Sequence, residues 1–184
     1  MKVFAPILIA YSLFSPVVFG ANVEVSASEV FDASAQGMVT ALLSFDDTCD
    51  SGCKYTIKGL QETRVIAENE YSAIIWQHVE SVKTVKQFVK IEFEFTEGGG
   101  IAYRSYLPDS DTIAALQAKF DLPHETAFKS MNINWFFSQN ADGKTVGRGS
   151  LRVEHSFPKV VNPLIKRAMK NSFNEILVIL RQAA

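Results

Sequence analysis

Between Val85 and Phe95 apolar and polar side chains alternate, with Val89, Ile91, Phe93 and Phe95 on one face and Lys90, Glu92 and Glu94 on the other. That period of two predicts a strand with one buried and one wet face. Shorter alternations predict strands at Val23–Ala27, Leu60–Glu68 and Tyr71–Glu80, the last two joined by a turn at Asn69-Glu70. Glu97-Gly98-Gly99-Gly100 turns the chain into a further strand, Ile101–Leu107. Asn140-Ala141-Asp142-Gly143 then joins Phe128–Ser138 to Thr145–Phe157 as a second hairpin. Both faces of Tyr71–Glu80 are mixed, so the pattern leaves the direction of Trp76 open.

The period changes after Asn162. Leu164, Ile165, Ala168, Met169, Phe173, Ile176, Leu177 and Leu180 recur at three- and four-residue steps, opposite Lys166, Arg167, Lys170, Asn171, Asn174 and Glu175. This predicts an amphipathic helix to about Gln182, with Asn162 as N-cap, Pro163 in the first turn and a length of roughly 30 Å. Two shorter helices are expected, Ala33–Phe45 capped by Asp32 and Thr112–Phe120 capped by Asp111. Asp46–Lys58 reads as a loop or short irregular helix. The long helix must cover its apolar face, and an antiparallel sheet is the one partner large enough. An α+β domain follows.

The first residues read differently. Lys2 precedes a mostly apolar run from Val3 to Phe19 that ends in Val18-Phe19-Gly20 before Ala21, the layout of a secretory signal cut after Gly20. Pro6, Ser12, Ser15 and Pro16 interrupt the run, leaving it short of the ~20 apolar residues of a spanning helix. The expected organisation is therefore a signal peptide, residues 1–20, and one domain, residues 21–184, that is periplasmic or secreted and has no stable membrane anchor after cleavage. Cleavage removes Lys2, so 17 basic side chains face 20 acidic ones. A net charge of that sign does not attract phosphates, which argues against a nucleic-acid partner. Cys49 and Cys53 are the only cysteines, and in an oxidising compartment they are expected to form a structural disulfide.

Three stretches carry a resemblance. Gly59-Leu60-Gln61-Glu62-Thr63-Arg64-Val65-Ile66, Met131-Asn132-Ile133-Asn134-Trp135 and Pro158 to Leu180, in their order among the predicted elements, are similar to the START-like (SRPBCC) superfamily. Polyketide cyclase/dehydrase-like and coenzyme Q-binding START proteins belong to it. The resemblance spans Val23 to Gln182 and implies a helix-grip fold, a curved antiparallel sheet wrapped around the C-terminal helix with an apolar ligand held between them. Cys49 and Cys53 and the signal segment depart from that pattern. Val89, Ile91, Phe93, Met131, Ile133, Trp135, Ile165, Met169 and Phe173 are the expected ligand-contacting residues.

Catalytic texts are sparse. His124-Glu125 has no second histidine four residues on, and Gly147-Arg148-Gly149-Ser150 lacks a strand-to-helix setting. No metal site and no cofactor are expected. Three functions compete. The leading one is an exported binding protein for a lipid-like or other hydrophobic small molecule. The second is a cyclase/dehydrase-type enzyme in which His78, His155 or Glu154 moves a proton. The third is a partner-binding domain with a filled core. The pattern does not specify an oligomeric state. Amino-terminal sequencing of the exported protein is expected to begin at Ala21; an exported chain that retains Met1 would overturn the cleavage expectation.

Overall fold

The computed structural model describes residues 21–80 and 84–183, so the expected signal segment lies outside the described residues. Among these, nine strands and three α-helices follow in the order β1 (Ala21–Phe31), α1 (Ala35–Leu42), β2 (Thr48–Cys49), β3 (Tyr55–Thr56), β4 (Leu60–Asn69), β5 (Ser72–Glu80), β6 (Thr84–Phe95), β7 (Ile101–Tyr106), α2 (Ser110–Phe120), β8 (Phe128–Gln139), β9 (Thr145–His155) and α3 (Asn162–Gln182). Seven of the strands form one curved antiparallel sheet, ordered β1-β9-β8-β7-β6-β5-β4. β4 to β9 run as a meander, and β1 returns to pair with β9 along its whole length, from Ala21 opposite His155 to Phe31 opposite Thr145. That pairing extends β1 well beyond the predicted Val23–Ala27.

Alternation places odd-numbered side chains of β6 to β9 on the concave side, where α1 and α3 lie. One row crosses the sheet through Ala73, Ile91, Ser105, Ile133, Leu151 and Val25, each opposite the next. α3 closes over this side with Met169, Phe173, Leu177 and Leu180 buried, each such side chain contributing about 1.5–3 kcal/mol of apolar burial. Its last turn is tied to the sheet edge by Arg181, which donates to both carboxylate oxygens of Glu29 at 2.6 and 2.8 Å. Glu29 is held below the usual carboxylate range chiefly by that hydrogen bond.

The other face has its own small core. Trp76 and Phe88, opposite each other in β5 and β6, pack with Leu122 beneath Ile113, Leu116 and Phe120 of α2. Trp76 therefore points away from α3, and its indole N–H donates to the Pro123 carbonyl at 2.8 Å.

Three capping expectations are corrected. Ser34, not Asp32, caps α1 by accepting the Gly37 N–H at 3.0 Å, while Asp32 pairs with Lys144 at 2.8 Å. Asp109, not Asp111, caps α2, accepting the Thr112 N–H at 2.8 Å. Asn162 does not cap α3: a 3-10 turn at Lys159–Val161 precedes the helix, Asn162 already has helical dihedrals, and no side chain caps the start. Of the two forms expected for Asp46–Lys58 the segment takes the loop, with a two-residue parallel ladder, Thr48–Cys49 against Tyr55–Thr56, inside it. The Cys49–Cys53 disulfide, with a Cα separation of 5.7 Å, closes the turn between these strands; loop entropy for so short a ring contributes about 2 kcal/mol.

His124 follows α2 and supports the second core. The Phe88 N–H donates to its Nδ1 at 3.2 Å, and its ring stacks on Phe88 with centroids 6.1 Å apart. Desolvation holds its pKa below the ordinary 6.5, because burial disfavours the charged ring. The unfolded chain thus binds this proton first as pH falls, so its effect on stability is complete above the unfolded value and stability declines below about 6.5. Denaturation midpoints of the wild type are expected to show that decline, and His124→Asn, which retains an acceptor, to lose it. Identical pH profiles for the two chains would overturn the assignment.

Candidate functional site

The nine residues expected to contact a ligand come together on the concave side within one apolar cluster. Strand parity supplies six of them: Val89, Ile91 and Phe93 from β6, and Met131, Ile133 and Trp135 from β8. Helical spacing supplies Ile165, Met169 and Phe173. Their surroundings differ. Val89, Ile91, Trp135, Met169 and Phe173 are buried, whereas Phe93, Met131, Ile133 and Ile165 are half-buried at the edges of the cluster.

At the centre the grip is closed by aromatic stacking. The rings of Trp135 and Phe173 lie 5.0 Å apart and nearly parallel, and Phe137 stacks beyond Trp135 at 5.7 Å. Gly149 faces Trp135 across the β8–β9 ladder, and a Cβ there would stand 2.6 Å from Trp135 Cε2 and 2.7 Å from Phe173 Cζ. Helix and sheet approach this closely because β9 contributes no side chain at that point. The helical stripe is also narrower than its apolar sequence implies: Leu164 and Ala168 both face solvent. A larger side chain at Ala168 would project outward.

The less enclosed apolar surface lies along β4 to β6. Tyr71 and Phe95 flank Phe93 with ring centroids at 5.9 and 6.3 Å, and they are 47% and 56% exposed. Val65, opposite Ile75 in the β4–β5 ladder, is exposed as well. Alternation in β6 signals Phe95, but Tyr71 precedes β5 and carries no periodic signal.

Polar atoms interrupt the concave face. Burial raises the Tyr103 phenol above its ordinary pKa, partly offset by a hydrogen bond with Ser105, so it stays a neutral hydrogen-bonding group. Gln87 is buried with no partner for Oε1, and its Nε2 reaches only Met131 Sδ at 4.0 Å. Trp135 Nε1 and both ring nitrogens of the fully buried His155 also have no hydrogen-bond partner. A buried polar atom left so costs about 1–3 kcal/mol. Of the three proton-moving candidates only His155 faces inward. His78 shares the outer face with Trp76, opposite Lys86 and 3.7 Å from Glu80, and Glu154 alternates outward on β9. Among the described residues no cluster of His, Cys, Asp and Glu could hold a metal ion.

The opposite side of the sheet carries an open trough of about 700 Å³, lined by Ser26, Ser28, Asn134, Phe136, Arg148 and Ser150 with Arg104 nearby. Of the nine expected positions only Trp135 borders it. It is an open depression rather than an enclosed one and includes only one of the nine expected positions, whereas the concave face gathers all nine, so the concave face is the better candidate despite its tighter packing.

Comparisons with known proteins support the fold. No family model matches the chain, and no curated protein sequence matches it. Solved structures do. The protein TTHA0849 from Thermus thermophilus aligns with a TM-score of 0.62 at 15% identity, covering 88% of this chain and 96% of that one. A STAR-related lipid transfer protein from Xanthomonas axonopodis aligns at 0.61 and 10% identity, covering 86% and 85%. The Zhui aromatase/cyclase from Streptomyces sp. R1128 aligns at 0.53 and 10% identity, covering 89% and 91%. The chain has the START-like helix-grip fold that the sequence resemblance implies.

The tight centre yields a direct test. Gly149→Ala is expected to force Trp135 and Phe173 apart and to destabilise the protein by about 1–3 kcal/mol, as overpacking does, read as a lower denaturation midpoint. An unchanged midpoint would mean that helix and sheet are not in contact there.

Proposed function

We propose that this START-like chain is an exported binding protein for a hydrophobic, lipid-like small molecule, held on the concave face between the sheet and α3. The observation that carries the reading is the composition of that face. In and beside a continuous apolar cluster lie buried polar atoms, Trp135 Nε1 within it and Gln87 Oε1 and the His155 imidazole at its margin on the same face, with no hydrogen-bond partner in the protein. An amphiphile would cover the apolar surface and bond to them. Solved structures of the same fold include a STAR-related lipid transfer protein and an aromatase/cyclase, which is consistent with an apolar ligand here.

The half-buried residues Phe93, Met131, Ile133 and Ile165 define where such a molecule enters, since the Trp135–Phe173 stack occupies the middle. Export rests on the N-terminal pattern and agrees with the Cys49–Cys53 disulfide. Among the described residues no helix is long and apolar enough to cross a membrane. The enzyme alternative retains one inward-facing group, His155, and the filled-core alternative retains the tight centre.

Titration with an environment-sensitive naphthalene probe separates these readings. Wild-type protein is expected to take up the probe, and Met131→Trp and Ile133→Trp to weaken uptake at least tenfold with a nearly unchanged melting temperature. Organic extraction of the purified protein is expected to release a lipid-like compound detectable by mass spectrometry. Absence of uptake, together with Trp variants that melt several degrees lower, would establish a filled core and overturn the binding function.

A further inference from the structure

The convex side of the sheet bears a feature that the concave site does not use. Alternation sends Arg104, Asn134 and Ser150 outward as one row of directly opposed residues across β7, β8 and β9, and Phe136, Arg148 and Ser28 as the next row, across β8, β9 and β1. All six line the open trough of about 700 Å³, and no acidic residue lines it. Arg104, Arg148 and Asn134 are exposed, and the Phe136 ring is 37% exposed. Glu92, opposite Arg104 on β6, attracts it but forms its ion pair with Lys90, at 2.7 Å. Among the described residues neither Arg104 nor Arg148 takes part in a hydrogen bond or ion pair. The chain from residue 21 is net acidic, so two unpaired cations beside an exposed ring are a local departure from its average.

We propose that this trough binds a phosphate monoester carrying a flat aromatic ring, with the phosphate between Arg104 and Arg148 and the ring against Phe136. The two arginines stand two strands and two residues apart, about 12 Å between Cα atoms, with Asn134 and Phe136 between them. Extended side chains from both can meet one anion over that midpoint, and each brings a planar fork that fits a phosphate edge. Ser28, Ser150 and Asn134 add neutral donors around it. Two cations and these donors match the charge of nearly −2 and the three acceptor oxygens of a phosphate monoester. A carboxylate would leave part of them unused. The open side of the trough keeps one side of its occupant in water, which suits a phosphate, because burying an isolated charge is costly. An acidic peptide would also satisfy the arginines. However, β7, β8 and β9 are each paired on both sides, so they offer no backbone hydrogen bonds to an added strand. The residues involved point away from α3, so the inference does not depend on what the concave face holds.

Calorimetric titration with phenyl phosphate tests it. Wild-type protein should bind phenyl phosphate about fivefold more tightly than inorganic phosphate, through the ring contact, and more tightly than benzoate. Arg104→Gln and Arg148→Gln should each weaken phenyl phosphate binding by about tenfold, the loss expected for a hydrogen bond to a charged group. Phe136→Ser should reduce phenyl phosphate to the affinity of inorganic phosphate and leave inorganic phosphate unchanged, a pattern that a folding defect does not produce. Both arginines are exposed, so their variants should melt with the wild type and keep whatever uptake of the naphthalene probe the wild type shows. Phenyl phosphate should not displace that probe. The inference is overturned if wild type does not bind phenyl phosphate, if inorganic phosphate binds equally well, if either arginine variant binds as wild type does, or if the probe is displaced. Tighter binding of benzoate, or of a glutamate-rich peptide, would assign the trough to a carboxylate or to a peptide instead and likewise overturn it.

Discussion

The closure of the sheet on α3 depends on one contact, the stack of Phe173 on Trp135 over Gly149. A sheet and a helix normally stay apart by two layers of side chains. Here β9 withdraws one layer, and an aromatic from each side fills the space at ring-stacking distance. Leu177 and Leu180 follow Phe173 along the same stripe and reach the buried cluster that includes Phe31, Met38 and Phe137. Arg181 then pairs with Glu29 at the edge strand. The curvature of the sheet and the seating of the helix are thus consequences of the same arrangement.

Strand parity divides the chemistry between two faces. On β5 and β6 the odd positions, Ile75, Val89 and Ile91, face α3, and the even ones, Trp76 and Phe88, face α2. This division removes His78 and Glu154 from any chemistry on the concave side and leaves His155 there. It also explains how one mixed strand serves two cores. Tyr71–Glu80 lacks a clean alternation because neither of its faces is fully wet.

Much of this was legible in the residues. The alternation in Val85–Phe95 and the three- and four-residue spacing after Asn162 gave the central strand and the long helix, and with them six of the nine expected positions, while Met131, Ile133 and Trp135 came with the predicted strand Phe128–Ser138. What was not legible depended on distant partners. β1 extends to Phe31 because β9 offers pairing that far, a tertiary fact with no local signal. Capping was misread where two polar residues lay close together: Ser34 and Asp109 accept the helix N–H groups, leaving Asp32 free to meet Lys144. Leu164 and Ala168 belong to the apolar pattern in sequence but lie beyond the width of the groove. The close approach at Gly149 could not be read at all, since a glycine in a strand does not say which side chains will take its place.

The seating of α3 is uneven, and this links the fold to the proposed binding function. Phe173, Leu177, Ile179 and Leu180 are buried in its second half, whereas Met169 is the single buried residue of its first half. Ile165 is half-buried, and Asn162 has a buried side-chain oxygen without a hydrogen-bond partner. Local opening is least costly where few apolar contacts are lost, so the beginning of the helix is the end that separates from the sheet most readily. The half-buried Met131 and Ile133 are on the concave face of β8, whose first strand residues pair with the end of β9 from which the chain leads into α3. The exposed Val160 and Leu164 occupy that same end. A hydrophobic molecule entering or leaving the concave face would then need only the loosely held end of the helix to shift. The firmly held end, fixed by the aromatic stack and the Arg181–Glu29 pair, would keep the domain folded while it did so.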